Sequence, residues 1–274
     1  MLYSADNSKL LVNDNEILAS SAQVSLGSSL SPKYLMTQRH TQDQVPGNGI
    51  GGQLSFSYYI TGRDYFKEFI TGQGEMPFSG SDQLSGNFGG LYFVSGFLTS
   101  YSVNFSPNSP ASANATVNFF DSAGGVFTPT YQAAPSSTQI LNMTHASVEG
   151  EFAEGVVDNF LAGTYNYSAE VNPIYLMNET VPSDVSFGPK TVNINFEVDN
   201  PTGYLPISGD AAKISVNLKN SSSTTLESFI CSGVISSRNL ASSAGGYVKQ
   251  TINVTQSALS GPEPAVESVI ALDH

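Results

Sequence analysis

Leu54-Ser55-Phe56-Ser57-Tyr58-Tyr59-Ile60 alternates strictly, with Leu54, Phe56, Tyr58 and Ile60 on one side. A period of two is the signature of a strand that buries one face. The pattern returns as Val192-Asn193-Ile194-Asn195-Phe196-Glu197-Val198, at an offset of 138 residues (54 to 192). Further matches flank it in the same order. Pro32-Lys33-Tyr34-Leu35-Met36 returns as Pro173-Ile174-Tyr175-Leu176-Met177, offset 141 (32 to 173). Tyr92–Val103 (YFVSGFLTSYSV) returns as Phe229–Leu240 (FICSGVISSRNL), offset 137 (92 to 229), and Thr116–Phe119 as Thr251–Val254, offset 135 (116 to 251). The sequence therefore reads as one β-rich unit written twice, residues 1–130 and 131–274, each long enough to bury a core of its own. Repeated units are more often assembly devices than single catalytic pockets.

The remaining elements follow from local chemistry. Leu10–Val12 and Ile17-Leu18 flank the turn-forming cluster Asn13-Asp14-Asn15-Glu16, a hairpin. Val24 and Leu26 begin a strand matched by Tyr165 and Tyr167. Thr61-Gly62-Arg63-Asp64 resembles a capping box, and Phe66, Phe69 and Ile70 at helical spacing predict a short amphipathic helix over Arg63–Ile70. In the second unit Gly203 and Pro206 cut the corresponding helix to about one turn or remove it. Leu91–Phe105 is a long strand, Ser106–Pro110 a turn, and Ala115, Val117 and Phe119 the returning strand; Phe229–Leu240 and Tyr247–Val254 repeat this. Residues 121–139, rich in Gly, Ala, Pro and Ser, form the junction, and Gly150–Asp158 shows no clear period. The expected fold is all-β, mainly antiparallel, with a short helix.

Composition narrows function. The chain carries 23 acidic and 10 basic residues, a net charge of −13. That opposes binding to nucleic-acid phosphates and suits a surface past which nucleic acid slides. One cysteine excludes an internal disulfide, and no apolar run reaches the ~20 residues of a membrane-spanning helix. The start, Met1–Asp6, lacks the basic and apolar regions of a secretory signal, so synthesis in a cytosol is expected.

Few residues invite a chemical role. Gly47-Asn48-Gly49-Ile50-Gly51-Gly52 matches GxGxxG, but Pro46 precedes it and an alternating strand follows, so it reads as a loop tip rather than a cofactor site. Cys231 aligns with Val94 and reads as an apolar strand position. His40, placed in a loop, His145, placed in a polar strand, and His274 share no metal-ligand spacing. No cofactor, metal or catalytic constellation is expected, and the chain is not read as an enzyme. A glycan-binding surface adhesin is a second class; the 13 tyrosines suit it and the absence of tryptophan opposes it.

Pro32–Met36, Leu54–Ile60, the helix Arg63–Ile70, Ser95–Val103 and Ala115–Phe119 together resemble the tail tube proteins of long-tailed bacteriophages. The likeness covers about residues 10–120 and, more weakly, 142–256. It implies two tandem β-sandwich or barrel domains that self-assemble into a ring around a channel, with rings stacked in a virion tail tube that conducts DNA during ejection. Two domains per chain then imply a homotrimeric, pseudo-hexameric ring assembled in the host cytoplasm. The implied partners are other copies, sheath or tape-measure, baseplate and terminator proteins, and passing DNA held without sequence preference. A baseplate hub or tail-terminator ring at one end of the tube is the alternative within this class. The resemblance also implies an inter-ring arm over Thr37–Ile50 carrying Gln38, Arg39, His40, Gln42, Asp43, Gln44 and Asn48, with a second-copy equivalent over Asn178–Pro189 carrying Glu179 and Asp184. Copy two departs by replacing Tyr101 with Arg238.

Overall fold

The computed structural model describes residues 10–27, 30–33, 43–46, 51–71, 83–120, 123–128, 139–152, 155–157, 159–177, 179, 181–199, 209–241, 249–256 and 269–271. It is all-β, antiparallel and sandwich-like, with one short helix. In the N-terminal half run β1 (Leu10–Val12), β2 (Asn15–Ile17), β3 (Ala19–Gly27), β4 (Leu30–Lys33), β5 (Asp43–Pro46), β6 (Gly51–Tyr59), α1 (Tyr65–Thr71), β7 (Leu84–Phe88), β8 (Leu91–Phe105) and β9 (Ser112–Phe119). The C-terminal half supplies β10 (Ser147–Phe152), β11 (Gly155–Val157), β12 (Phe160–Ile174), β13 (Asp184–Val198), β14 (Ala211–Lys219), β15 (Thr225–Ala241), β16 (Lys249–Gln256) and β17 (Val269–Ala271).

One neighbour order occurs in both halves. The first pairs as β2-β1-β7-β8-β9-β6-β3, and the second as β11-β10-β14-β15-β16-β13-β12, every pair antiparallel. Local irregularities coincide as well. β8 and β15 each carry one extra residue against the returning strand, Thr99 and Ser236, an offset of 137. Both hydroxyls donate to a carbonyl across the bulge, Thr99 Oγ1 to Thr116 O and Ser236 Oγ to Asn253 O, each at 3.2 Å. β3 and β12 carry theirs at Ser20 and Leu161, an offset of 141. Bulges bend a strand and pin its register, so their placement is a structural feature in itself.

The bulges correct two sequence offsets. Leu54 sits opposite Val117, and Ile194 opposite Val254. With Thr116 matched to Asn253, the structural offsets are 140 for β6 to β13 and 137 for β9 to β16, in place of 138 and 135. A slip of two residues leaves every side chain on its original face, so alternation alone could not detect it.

The halves share one interior. The main buried cluster runs from Leu10 through Phe66, Tyr101, Tyr165 and Phe229 to Val254, and a smaller one joins Phe97 to Val185, so both span the two halves where each half was expected to bury a core of its own. The cause is the joint between halves. The C-terminal part of β8, Ser100–Phe105, pairs with Ser168–Gly163 of β12, and this continues the sheet from one half into the other. Aromatic rings bridge the joint: Tyr101 meets Tyr165 at 6.3 Å between centroids, and Phe105 stacks on Phe196 at 6.0 Å.

Several local readings change. The helix begins at Tyr65, and its N-cap is Asp64 rather than Thr61: Asp64 Oδ1 accepts from Lys67 N at 2.9 Å. His145 lies in a one-turn 3-10 segment, Met143–His145, capped by Asn142. The stretch without a clear period, Gly150–Asp158, holds the end of β10 and all of β11, and a side chain at Gly150 would meet the Phe152 and Phe160 rings. The hairpin forms where it was read, but its turn is shorter: Asn15 and Glu16 belong to β2, and Asn13 and Asp14 alone make the loop, both with positive φ (45° and 61°), as a two-residue hairpin loop requires. The second-unit helix and Tyr247 lie outside the described residues.

Candidate functional site: sheet edges, arms and a buried polar clamp

Two strand edges stand out once the halves are superposed by their bulges. β8 uses one side of its C-terminal part for β12. The corresponding part of β15 has β16 on one side, and among the described residues no strand on the other. Ser236 through Ala241 are all exposed, with Leu240 at 54%. Among the described residues β3 pairs with β6 alone. Its counterpart β12 has neighbours on both sides, β13 and β8. Leu26 on β3 is 52% exposed. Among the described residues, β3 and the C-terminal part of β15 thus each lack a strand on the side where their counterparts β12 and β8 pair with one another. A strand margin without a neighbouring strand is a template for another strand, and the exposed Leu240 and Leu26 lie on these two margins.

The arms are extended hairpins rather than plain loops. β12 and β13 pair, across a register shift between Ala169 and Val171, out to Ile174 opposite Asp184. At the tip Leu176 is 57% and Met177 99% exposed. Glu179 lies at this tip, its N–H donating to Leu176 O at 3.3 Å, and Asp184 is the first residue of β13. In the N-terminal half β4 and β5 form the matching ladder, Lys33 opposite Asp43 and Pro32 opposite Gln44. Asp43 and Gln44 are therefore strand residues, and the expected loop over Thr37–Ile50 is interrupted by β5, because the arm is built as a two-stranded ribbon. Gln38, Arg39, His40, Gln42 and Asn48 lie outside the described residues. The β4–β5 ribbon is a two-stranded sheet of its own, whereas the second arm extends β12 and β13 of the main sheet; among the described candidate residues Asp43, Gln44 and Asp184 are strand residues and Glu179 lies at a tip.

Sequence reasoning missed a buried polar clamp at the joint. Asp64 is almost fully buried and accepts from Tyr58 OH (2.6 Å), Tyr101 OH (3.0 Å) and Lys67 N (2.9 Å). Its own N–H donates to Glu227 Oε2 on β15 at 2.6 Å, and Lys67 Nζ lies 3.4 Å from Glu227 Oε1. Helix α1 of one half is thereby tied to the start of β15 in the other. Burial pushes the Asp64 carboxyl above its usual range, the three donors pull it down, and nearby Glu227 adds a smaller upward push. Burial likewise holds the Tyr58 and Tyr101 hydroxyls protonated. The signal was present in the Asp at the N-cap, but its carboxylate accepts from Tyr101, 37 positions away in the chain, and its N–H donates to Glu227, 163 positions away.

A cleft of about 240 Å³ beside this clamp is lined by Glu16, Tyr59, Arg63 and Asp64, among others. Among the described residues no three His, Cys, Asp or Glu side chains gather to hold a metal. Cys231 is buried on β15, its thiol donating to Val254 O at 3.4 Å, and burial pushes its pKa up to about 12. Val94 is 44% exposed, so the two aligned positions are not equivalent in burial: in β8 the adjacent Phe93 and Ser95 point inward instead. Among the described residues no helix is long and apolar enough to cross a membrane. No protein-family model matches this chain, and no curated protein matches it.

Proposed function

We propose that the chain is a virion structural protein of the phage tail tube, built from two tandem copies of one β-sandwich unit and assembling into stacked, trimeric, pseudo-sixfold rings that conduct DNA. One observation carries this reading: seven strands recur in the same neighbour order with matching bulges, and the two halves are already joined head to tail, β8 to β12. A chain that repeats one unit and joins its copies edge to edge is suited to continuing the same operation with further chains. The net charge of −13 suits a wall that repels phosphate and lets DNA pass. The paired arms, extended as ribbons, supply contacts between successive rings.

Negative-stain microscopy of the purified protein tests the reading. Hollow rods or rings with three- or sixfold symmetry are expected at high concentration. Dispersed globules at every concentration overturn it. A single ring per particle, without rods, moves the assignment to the terminator or hub position.

A further inference from the structure

The internal joint specifies which strands meet between chains, and in which register. We infer that Asn239–Ala241 of β15 adds antiparallel to the β3 edge of a second copy, with Asn239 opposite Ser25, Leu240 opposite Val24 and Ala241 opposite Gln23. The inference deepens the ring reading and rests on it for the partner, a second copy of this chain.

The derivation uses the two bulge offsets. At the internal joint Ser102 faces Asn166, Val103 faces Tyr165 and Asn104 faces Thr164. Moving β8 to β15 by 137 residues (Thr99 to Ser236) turns Ser102, Val103 and Asn104 into Asn239, Leu240 and Ala241. Moving β12 back to β3 by 141 (Leu161 to Ser20) turns Asn166, Tyr165 and Thr164 into Ser25, Val24 and Gln23. Both target segments are solvent-accessible: Asn239, Leu240, Ala241, Gln23 and Ser25 are exposed and Val24 is half-buried. At the internal joint the equivalent positions Val103 and Tyr165 are 0% and 1% exposed. Leu240 and Val24 therefore stand where a sealed joint buries its side chains. The contact is heterologous, one edge on a different edge, so each chain accepts one neighbour at each end. A symmetric β3-to-β3 or β15-to-β15 contact would have no counterpart in the internal joint.

Cysteine pairing in the full chain tests the register. Directly opposite residues of an antiparallel ladder alternate between Cα separations of about 5.5 and 4.5 Å, within disulfide reach. Two neighbouring pairs, Gln23 with Ala241 and Val24 with Leu240, cover both spacings. The variants Q23C, A241C, V24C and L240C are made singly, and each is checked for unchanged far-UV circular dichroism. Under mild oxidation each single variant alone stays uncrosslinked. Mixing Q23C with A241C, or V24C with L240C, gives a disulfide-linked dimer from at least one pair, at least tenfold above the off-register mixture of Q23C with N239C. Self-crosslinking of a single variant, or equal yields in and out of register, overturns the inference, as does a protein that stays monomeric at every concentration. Rings in the microscope without in-register crosslinks refute this joint and leave the ring reading standing. In-register crosslinks on open fibres or dimers uphold the joint and refute the ring.

Discussion

Replacing Asp64 separates its three duties: capping α1, accepting two buried tyrosine hydroxyls, and carrying a charge. In D64A all three end together. Loss of the N-cap costs about 1 kcal/mol. The Tyr58 and Tyr101 hydroxyls lose their acceptor in a buried site, at about 1–3 kcal/mol each. Relief from burying a charge offsets part of this, which leaves a net loss of about 3–5 kcal/mol, a large share of the ~5–15 kcal/mol that holds an ordinary domain folded. In D64N the amide oxygen still accepts from Lys67 N and one hydroxyl, and the loss at neutral pH falls to about 1 kcal/mol. The pH dependence has a definite sign. The folded pKa of Asp64 is raised, chiefly by burial, so the native state holds this proton more tightly than the unfolded chain. Its contribution to stability is fully present below the ordinary carboxyl pKa and is lost as pH rises through the raised folded value. D64N lacks this term, so the parent's advantage over D64N is greatest in acid and shrinks as pH climbs past that window. Urea unfolding followed by far-UV circular dichroism, at one low protein concentration from pH 4 to 8, measures both effects; fixing concentration matters because assembly itself stabilises. A D64A midpoint equal to the parent's, or a parent advantage that grows with pH, refutes the clamp.

Three further outcomes follow from particular contacts. Cys231 is buried with its pKa pushed to about 12, so a thiol reagent at pH 8 reacts no faster than the protein unfolds; rapid stoichiometric labelling of native protein contradicts that placement. A methyl group on Gly96 would lie 2.8 Å from Val117 Cγ1 and 2.9 Å from Leu84 O, so G96A loses about 1–3 kcal/mol by denaturant titration, whereas G62A, with open space around it, stays within about 0.5 kcal/mol. Equal midpoints for the two glycine variants would remove packing as the reason for the Ser-Gly repeat. Residues 34–42 can be exchanged for an Asn-Gly turn because Lys33 and Asp43 stand directly opposite; unfolding stays as in the parent and rods no longer form, and rods of normal length from this variant refute the arm's role in stacking.

How far the fold was legible depended on what kind of information each element carries. Alternation is local, so Leu54–Ile60, Leu91–Phe105 and the hairpin around Asn13-Asp14 were readable. β14 was equally readable, with Ala212, Ile214, Val216 and Leu218 buried in alternation, yet it has no strong echo in the short β7, where Gly86 makes room for the Phe93 ring. A search guided by the repeat passes over a strand whose two copies have diverged. Register was not legible at all, since a two-residue slip preserves the buried face. It became visible through Thr99 and Ser236, whose hydroxyls each reach the carbonyl across the bulge.

The same logic explains why the candidate site was only half visible. Tyr101 and Arg238 align, and in the sequence the substitution reads as a departure of the second copy from the contacts of the first. In the structure the difference follows from position along the sheet. Tyr101 stands at the internal joint, opposite Tyr167, and is sealed beneath α1, where its hydroxyl serves Asp64. Arg238 stands at the corresponding place on the outer margin, exposed. An inward tyrosine left at that margin would present a large apolar face on every monomer before assembly, and a charged side chain on an edge strand opposes indiscriminate pairing. Leu240, two residues on, keeps the apolar character that a specific contact requires. Under the proposed head-to-tail assembly, the divergence between the copies would follow: one joint closed during folding, and an equivalent one held open for a neighbour.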